Sequence, residues 1–199
     1  MKKVILSVMV VLGLGASQVN AQNISYGVKA DATMSNYILS DMDNMSSNMG
    51  IGFSVGGFAK WDITKNFAIQ PELLINFRTS EFKDKGKGKR DFDYWGMEIP
   101  VYAMGQWYTA NNSRFYAAVG PYIGYGFSAR YKDPEYKLYK NDALKRFDFG
   151  FGTQVGYEFP NRISINASYK IGIIDSLDEG KDDATMLPQR VSLGVAYRF

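Results

Sequence analysis

The final stretch of the chain alternates strictly. Val191, Leu193, Val195, Tyr197 and Phe199 fall on one side, and Ser192, Gly194, Ala196 and Arg198 on the other. A period of two is the signature of a strand with one apolar face. The same reading along the chain predicts strands over 26–34, 51–61, 67–79, 94–107, 115–129, 147–159, 163–173 and 190–199. Each has about the length that a tilted bilayer-spanning strand requires, roughly 9 to 11 residues or a little more. The second, fourth and sixth connections are short and turn-like: Asp62 to Asn66, Thr109 to Ser113 and Pro160 to Arg162. The odd connections are long and polar. Short turns alternating with long loops is the plan of a barrel inserted in an outer membrane, with the turns on the periplasmic side. The expected fold is therefore all-β: an eight-stranded antiparallel up-and-down transmembrane β-barrel with short periplasmic turns and long extracellular loops.

Alternation alone does not say which face is outside, because a soluble barrel also separates an apolar face from a polar one. Volume decides. The apolar set, including Phe53, Trp61, Phe77, Trp95, Trp107, Phe115, Phe127, Phe151 and Tyr157, is too bulky for an interior only just wide enough to be filled by side chains. The opposite face carries Gly56, Gly120, Gly124, Gly150, Gly152, Gly156 and Gly194, as a crowded lumen demands. Trp61, Phe67, Trp107, Phe115, Tyr157, Phe159 and Tyr197 gather at the turn end, where an interfacial aromatic girdle belongs.

Met1 to Lys3, the apolar run to Gly15 and the small-residue site Val19-Asn20-Ala21 form an export signal, too short to span a membrane as a helix. Residues 1–21 are expected to be cleaved, leaving 22–199 as one barrel domain. The chain has neither cysteine nor histidine, which removes thiol nucleophiles, disulfides and the usual base of barrel hydrolases. Its formal charge of +3 falls when Lys2 and Lys3 leave with the signal, so the balance gives no reason to expect nucleic acid.

By parity the lumen holds Lys29, Asp31, Lys60, Glu72, Arg78, Glu98, Arg130, Asp148, Lys170 and Arg190, alongside Gln70, Asn76, Tyr102, Gln106, Tyr116, Tyr122, Gln154, Asn166, Ser168 and Arg198. Both signs are present, and buried charges persist only when paired and hydrogen-bonded. The expectation is a structural network that plugs the barrel; a narrow channel for ions or small solutes is the alternative. If the short turns pair Trp61 with Phe67, Trp107 with Phe115 and Phe159 with Ile163, then Glu72 faces Gly56, Glu98 faces Gly124, Tyr102 faces Gly120 and Lys170 faces Gly152. Pro71, Pro100 and Pro121 lie in strands with no free edge, so bulges are expected beside them.

Among the long loops, Lys83, Lys85, Lys87, Lys89 and Arg90 in the second and Lys132, Lys137, Lys140, Lys145 and Arg146 in the third lean basic. The first and last, with Asp41, Asp43, Asp175, Asp178, Glu179, Asp182 and Asp183, lean acidic. Solvated charge explains both; a polar partner or lipopolysaccharide phosphate on the basic side is the functional version. Neither acidic run has the spacing of an EF-hand, and the loop methionines are ordinary packing material. No metal or other cofactor is expected.

Asn66 to Leu74, the segment Met97-Glu98-Ile99-Pro100-Val101, Gly120-Pro121-Tyr122 and the ending Tyr197-Arg198-Phe199 together resemble the PorT-like outer-membrane β-barrel family over most of the mature chain. The resemblance implies the same fold, no catalytic motif, and association of at least one member with assembly of a protein-secretion system. It also makes Tyr197 and Phe199 similar to the terminal signal read by the barrel-assembly machinery of Gram-negative cells. The reading that follows is a non-catalytic protein of the cell outer membrane. Its expected partners are outer-membrane lipid and lipopolysaccharide, the assembly machinery, and an extracellular or secretion-system protein.

Overall fold

A computed structural model describes residues 23–40, 45–84, 88–109, 111–131, 136–137, 146–173 and 185–199. The expected export signal, and loop residues such as Asp41, Asp43, Lys85, Lys87, Lys132 and Asp175 to Asp183, lie outside them. The strands are β1 (Ile24–Ser40), β2 (Met45–Thr64), β3 (Phe67–Asp84), β4 (Gly88–Tyr108), β5 (Arg114–Tyr131), β6 (Tyr136–Lys137), β7 (Phe147–Glu158), β8 (Ile163–Gly172) and β9 (Thr185–Arg198). The short β6 only extends the rim of β5. The other eight run antiparallel in the order β4-β3-β2-β1-β9-β8-β7-β5, and pairing of β4 with β5 closes the ring. Closure satisfies every edge, the condition for placing a sheet in hydrocarbon.

Two of the short turns are three-to-four-residue loops that need one residue in the left-handed region. Asn112 (φ 57°) and Arg162 (φ 67°) supply it, where Asn is the more tolerant residue. The hydrogen bonds Thr109 N to Ser113 O (2.9 Å) and Phe159 N to Ile163 O (2.8 Å) close these hairpins and confirm the expected pairings of Trp107 with Phe115 and of Lys170 with Gly152.

The β2–β3 hairpin differs from expectation by two residues. Trp61 pairs with Ile69 rather than Phe67, because the strands run on to a two-residue turn at Lys65–Asn66, with one extra residue of β2 taken up between Asp62 and Thr64. Glu72 consequently faces Phe58, and Gly56 faces Leu74. A second irregularity on β5, between the partners of Trp95 and Gly96, sets Trp95 against Ser128 and Gly96 against Gly126. Phe127 and Ser128 are both exposed, Ala129 is buried opposite Tyr94, and position 130 pairs with Asp93, which is itself buried. The side chain of Arg130, for which a lumen position was expected, lies outside those described.

The bulges expected at the prolines are absent there. Register is unchanged across Pro71, Pro100 and Pro121, and the ladders instead skip two pairs: between Phe58–Glu72 and Trp61–Ile69, between Pro71–Val101 and Leu74–Glu98, and between Pro100–Tyr122 and Ala103–Val119. A missing N–H opens the ladder locally, which costs less than inserting a residue and re-facing the rest of the strand.

The outer and inner faces invert the ordinary globular rule. Leu193 is 63% exposed and Phe147 66%, whereas Lys60 and Glu98 are each 1% exposed. An apolar surface that surrounds the whole barrel far exceeds what a water-soluble monomer presents, so the solvent on that side is lipid. Inside, tyrosines fill the space that glycines leave. The Tyr116 ring lies where a Cβ on Gly156 would come within 2.3 Å of it, and the Tyr102 hydroxyl lies 3.0 Å from the equivalent point on Gly152.

Candidate functional site

Three tiers of charge cross the lumen. At mid-depth Lys29 on β1 ion-pairs with Glu72 of β3 (3.3 Å) and Asp31 (3.7 Å), and donates to Gln154 of β7 at 2.8 Å. Ser54 donates to Asp31 at 3.1 Å and Gln70 to Glu72 at 2.9 Å, so each carboxylate has a neutral donor as well as a cation. These residues meet because alternation aims them all inward from four strands, and Gly194, opposite Asp31, leaves space for the carboxylate.

Toward the loop end, Glu98 of β4 is gripped by Lys170 of β8 on one oxygen and Arg190 of β9 on the other. Arg190 also stands 3.6 Å from Asp148, which accepts from the Tyr122 hydroxyl at 3.2 Å, and its guanidinium lies 4.7 Å from the centre of the Tyr122 ring. Glu98 faces Gly124 and Lys170 faces Gly152, and the absence of side chains there lets the two long groups reach across the barrel.

At the turn end, Glu158 of β7 joins Arg114 of β5 (2.7 Å) and Arg198 of β9 (2.6 Å). Arg114 also donates to Gln106, whose amide donates to Asp62 at 2.6 Å, and Lys60 completes the cluster with an ion pair to Asp62 at 2.8 Å. Below it a polar cavity of about 780 Å³, lined by Asn23, Asp62, Thr64, Lys65, Gln106 and Tyr108, opens outward on the turn side.

Nine of the ten charged residues assigned to the lumen are thus placed there, and the side chain of the tenth, Arg130, lies outside those described. Lys29, Asp31 and Glu72 form one group, Glu98, Lys170, Arg190 and Asp148 another, and Lys60 a third with Asp62. Arg78 joins none of them by an ion pair among the described residues; its guanidinium lies 3.9 Å from the centre of the Tyr94 ring. Sequence reasoning overlooked Arg114 and Glu158. Their signal was parity, since both sit on the inward series of Tyr116 and Gln154.

On the outer face the seven aromatics of the turn end all point away from the lumen. Phe115 and Tyr157 lie 4.6 Å apart, Tyr157 and Phe159 4.9 Å, and Tyr197 and Phe199 5.7 Å. A second aromatic band, which the sequence reading did not single out, stands at the other end. Phe53, Phe77 and Trp95 form one cluster, with Phe77 4.9 Å from Trp95, and Tyr125, Phe127 and Phe147 another. Trp95 and Trp107 share β4, and at about 3.4 Å per residue with a tilt of about 40° their separation is roughly 30 Å along the barrel axis, close to a hydrocarbon core.

Comparison with known proteins agrees with this geometry. The family model described as outer membrane protein beta-barrel domain matches residues 17–178. Among solved structures, Neisserial surface protein A is similar over 89% of this chain and 100% of its own, at 17% identity and a TM-score of 0.51. The outer membrane protein OprG from Pseudomonas aeruginosa is similar over 89% of this chain and 96% of its own, at 11% identity and a TM-score of 0.55. At such identities the likeness is one of fold. No curated protein matches the chain.

Proposed function

We propose, for a chain that belongs to the outer membrane protein beta-barrel domain family and sits in the outer membrane, a non-catalytic role as a sealed scaffold that presents its loops at the cell surface. The observation that carries this reading is the grip of Lys170 and Arg190 on Glu98. That contact joins strands on opposite sides of the lumen, and below it the Lys29 tier ties β1 to β3 and β7 while the Glu158 tier ties β7 to β5 and β9. Charges held this way are paired with one another and are not available to a passing ion.

The two aromatic bands seat the barrel in lipid, and Tyr197 with Phe199 form the end recognised during assembly. The resemblance to PorT-like barrels supports a secretion-associated protein as partner of the loops, with lipopolysaccharide on their basic members. The purified barrel in a planar lipid bilayer is expected to give no stable unitary currents. Reproducible steps of one size would replace the plug with a narrow channel for ions or small solutes.

A further inference from the structure

Arg78 is 5% exposed, yet its guanidinium makes no hydrogen bond or ion pair with a described residue, and its Nε is buried without a partner. The nearby carboxylates are already engaged: Glu98 by Lys170 and Arg190, Asp148 by Tyr122 and Arg190, and Asp93, opposite Thr79, in a contact of its own. The Tyr94 face under Arg78 attracts a cation without neutralising it. Arg190 adds a second positive charge that bears on Arg78, and its own Nε and Nη2 lack hydrogen-bond acceptors. A buried guanidinium near another, without an anion of its own among the described residues, is an arrangement that folding disfavours unless something negative joins it.

The surroundings are suited to receive such a group. Arg78 pairs across the ladder with Gly52, and Gly52 pairs with Thr33, so a residue without a side chain separates the arginine from Thr33. The Thr33 and Ser192 hydroxyls are 2.9 Å apart. One of them donates to the other, which leaves one hydroxyl proton free for a further acceptor. Phe77 and Trp95, next to Arg78 and Tyr94 in sequence, belong to the loop-end aromatic band, so the position lies at the outer boundary of the membrane.

We infer that Arg78, supported by Arg190 and the Thr33–Ser192 hydroxyl pair, forms a binding site for one small oxyanion entering from the extracellular medium. A guanidinium presents paired N–H donors matched to two oxygens of a phosphate or carboxylate, which spherical chloride does not offer. The site lies above the Glu98 contact and does not depend on the lumen being open.

The test uses the full barrel in lipid nanodiscs, titrated with inorganic phosphate against chloride at constant ionic strength. Arginine Nε–Hε resonances are followed, the Arg78 signal being the one lost in Arg78→Lys. The expected result is a saturable shift of the Arg78 signal with a midpoint of roughly 1–10 mM phosphate, the range of a weak single-ion site. Chloride should produce no saturable shift. In Arg78→Gln the Arg190 signal should respond at least about tenfold more weakly, as loss of a bidentate charged contact requires. Heat-modifiable migration on a gel reports folding of each variant. If Arg78→Gln fails to fold, the wild-type titration decides alone: a linear response shared by all arginines, or none, overturns the site.

Discussion

Neutralising Glu98 is the most searching perturbation of the lumen, because one carboxylate there answers two cations from two strands. At an effective dielectric of 20 and a charge separation near 4 Å, each pair is worth about 4 kcal/mol of attraction. Glu98→Gln therefore removes about 8 kcal/mol of attraction and recovers the several kcal/mol that burying one carboxylate costs. The net expectation is a loss of about 3–5 kcal/mol, the usual result of leaving a buried partner unmatched. Asp148→Asn provides the internal comparison. That side chain is 13% exposed and its ionic contact is 3.6 Å, so it should cost about 1 kcal/mol or less. Reversible denaturant unfolding in lipid bilayers measures both, read through Trp61, Trp95 and Trp107. All three are 41% or more exposed on the lipid face, so their emission reports insertion. Adding Lys170→Met to Glu98→Gln should return part of the loss, since the unmatched ammonium goes with it. A Glu98→Gln variant within about 1 kcal/mol of the parent, or an Asp148→Asn variant that costs as much, would refute the tiered account of what holds the lumen together.

Other consequences are equally direct. A Cβ on Gly56 would lie 1.9 Å from the Leu73 carbonyl, while one on Gly57 meets nothing nearer than 3.3 Å. Gly56→Ala should thus cost about 1–3 kcal/mol or abolish folding, and Gly57→Ala should be tolerated, as denaturation midpoints will show. Changing Val119, 53% exposed on β5 between the two aromatic bands, to Arg should cost about 2–4 kcal/mol if that face meets the hydrocarbon midplane, and almost nothing if it meets water.

The architecture was legible because lipid enforces it. Between the two aromatic bands the outward positions are almost all apolar, so alternation through Ile163 to Gly172 or Val191 to Phe199 states the strand plainly. Above the outer band that pressure ends. Met45 to Asn48 and Ser80 to Asp84 read as loop, although β2 and β3 continue paired through them, because a strand outside the hydrocarbon has no lipid-facing side to mark. Register was lost at the same kind of place: the tight turn at Lys65–Asn66 and the extra residue at Asp62–Thr64 moved the partner of Glu72, and the irregularity at Phe127–Ser128 shifted the pairing beyond Trp95. A single extra residue leaves no compositional trace. The lumen contacts were legible as a set of inward charges, whereas their partners were not. Which cation reaches which carboxylate depends on barrel stagger and on the glycines beside them, and hairpin counting fixes only nearest neighbours.

The tie between Arg198 and Glu158 skips a strand, joining β9 to β7 across β8. It therefore needs nothing from β1 and can form while the ring is still open. Joining the first and last strands is the longest-range event in the molecule, and its entropic toll includes every degree of freedom still loose at the two edges. An edge already braced by its own side chain arrives stiff, with less freedom left to surrender on docking. The Arg198 tie thus braces the trailing edge of the seam without any contribution from the leading one.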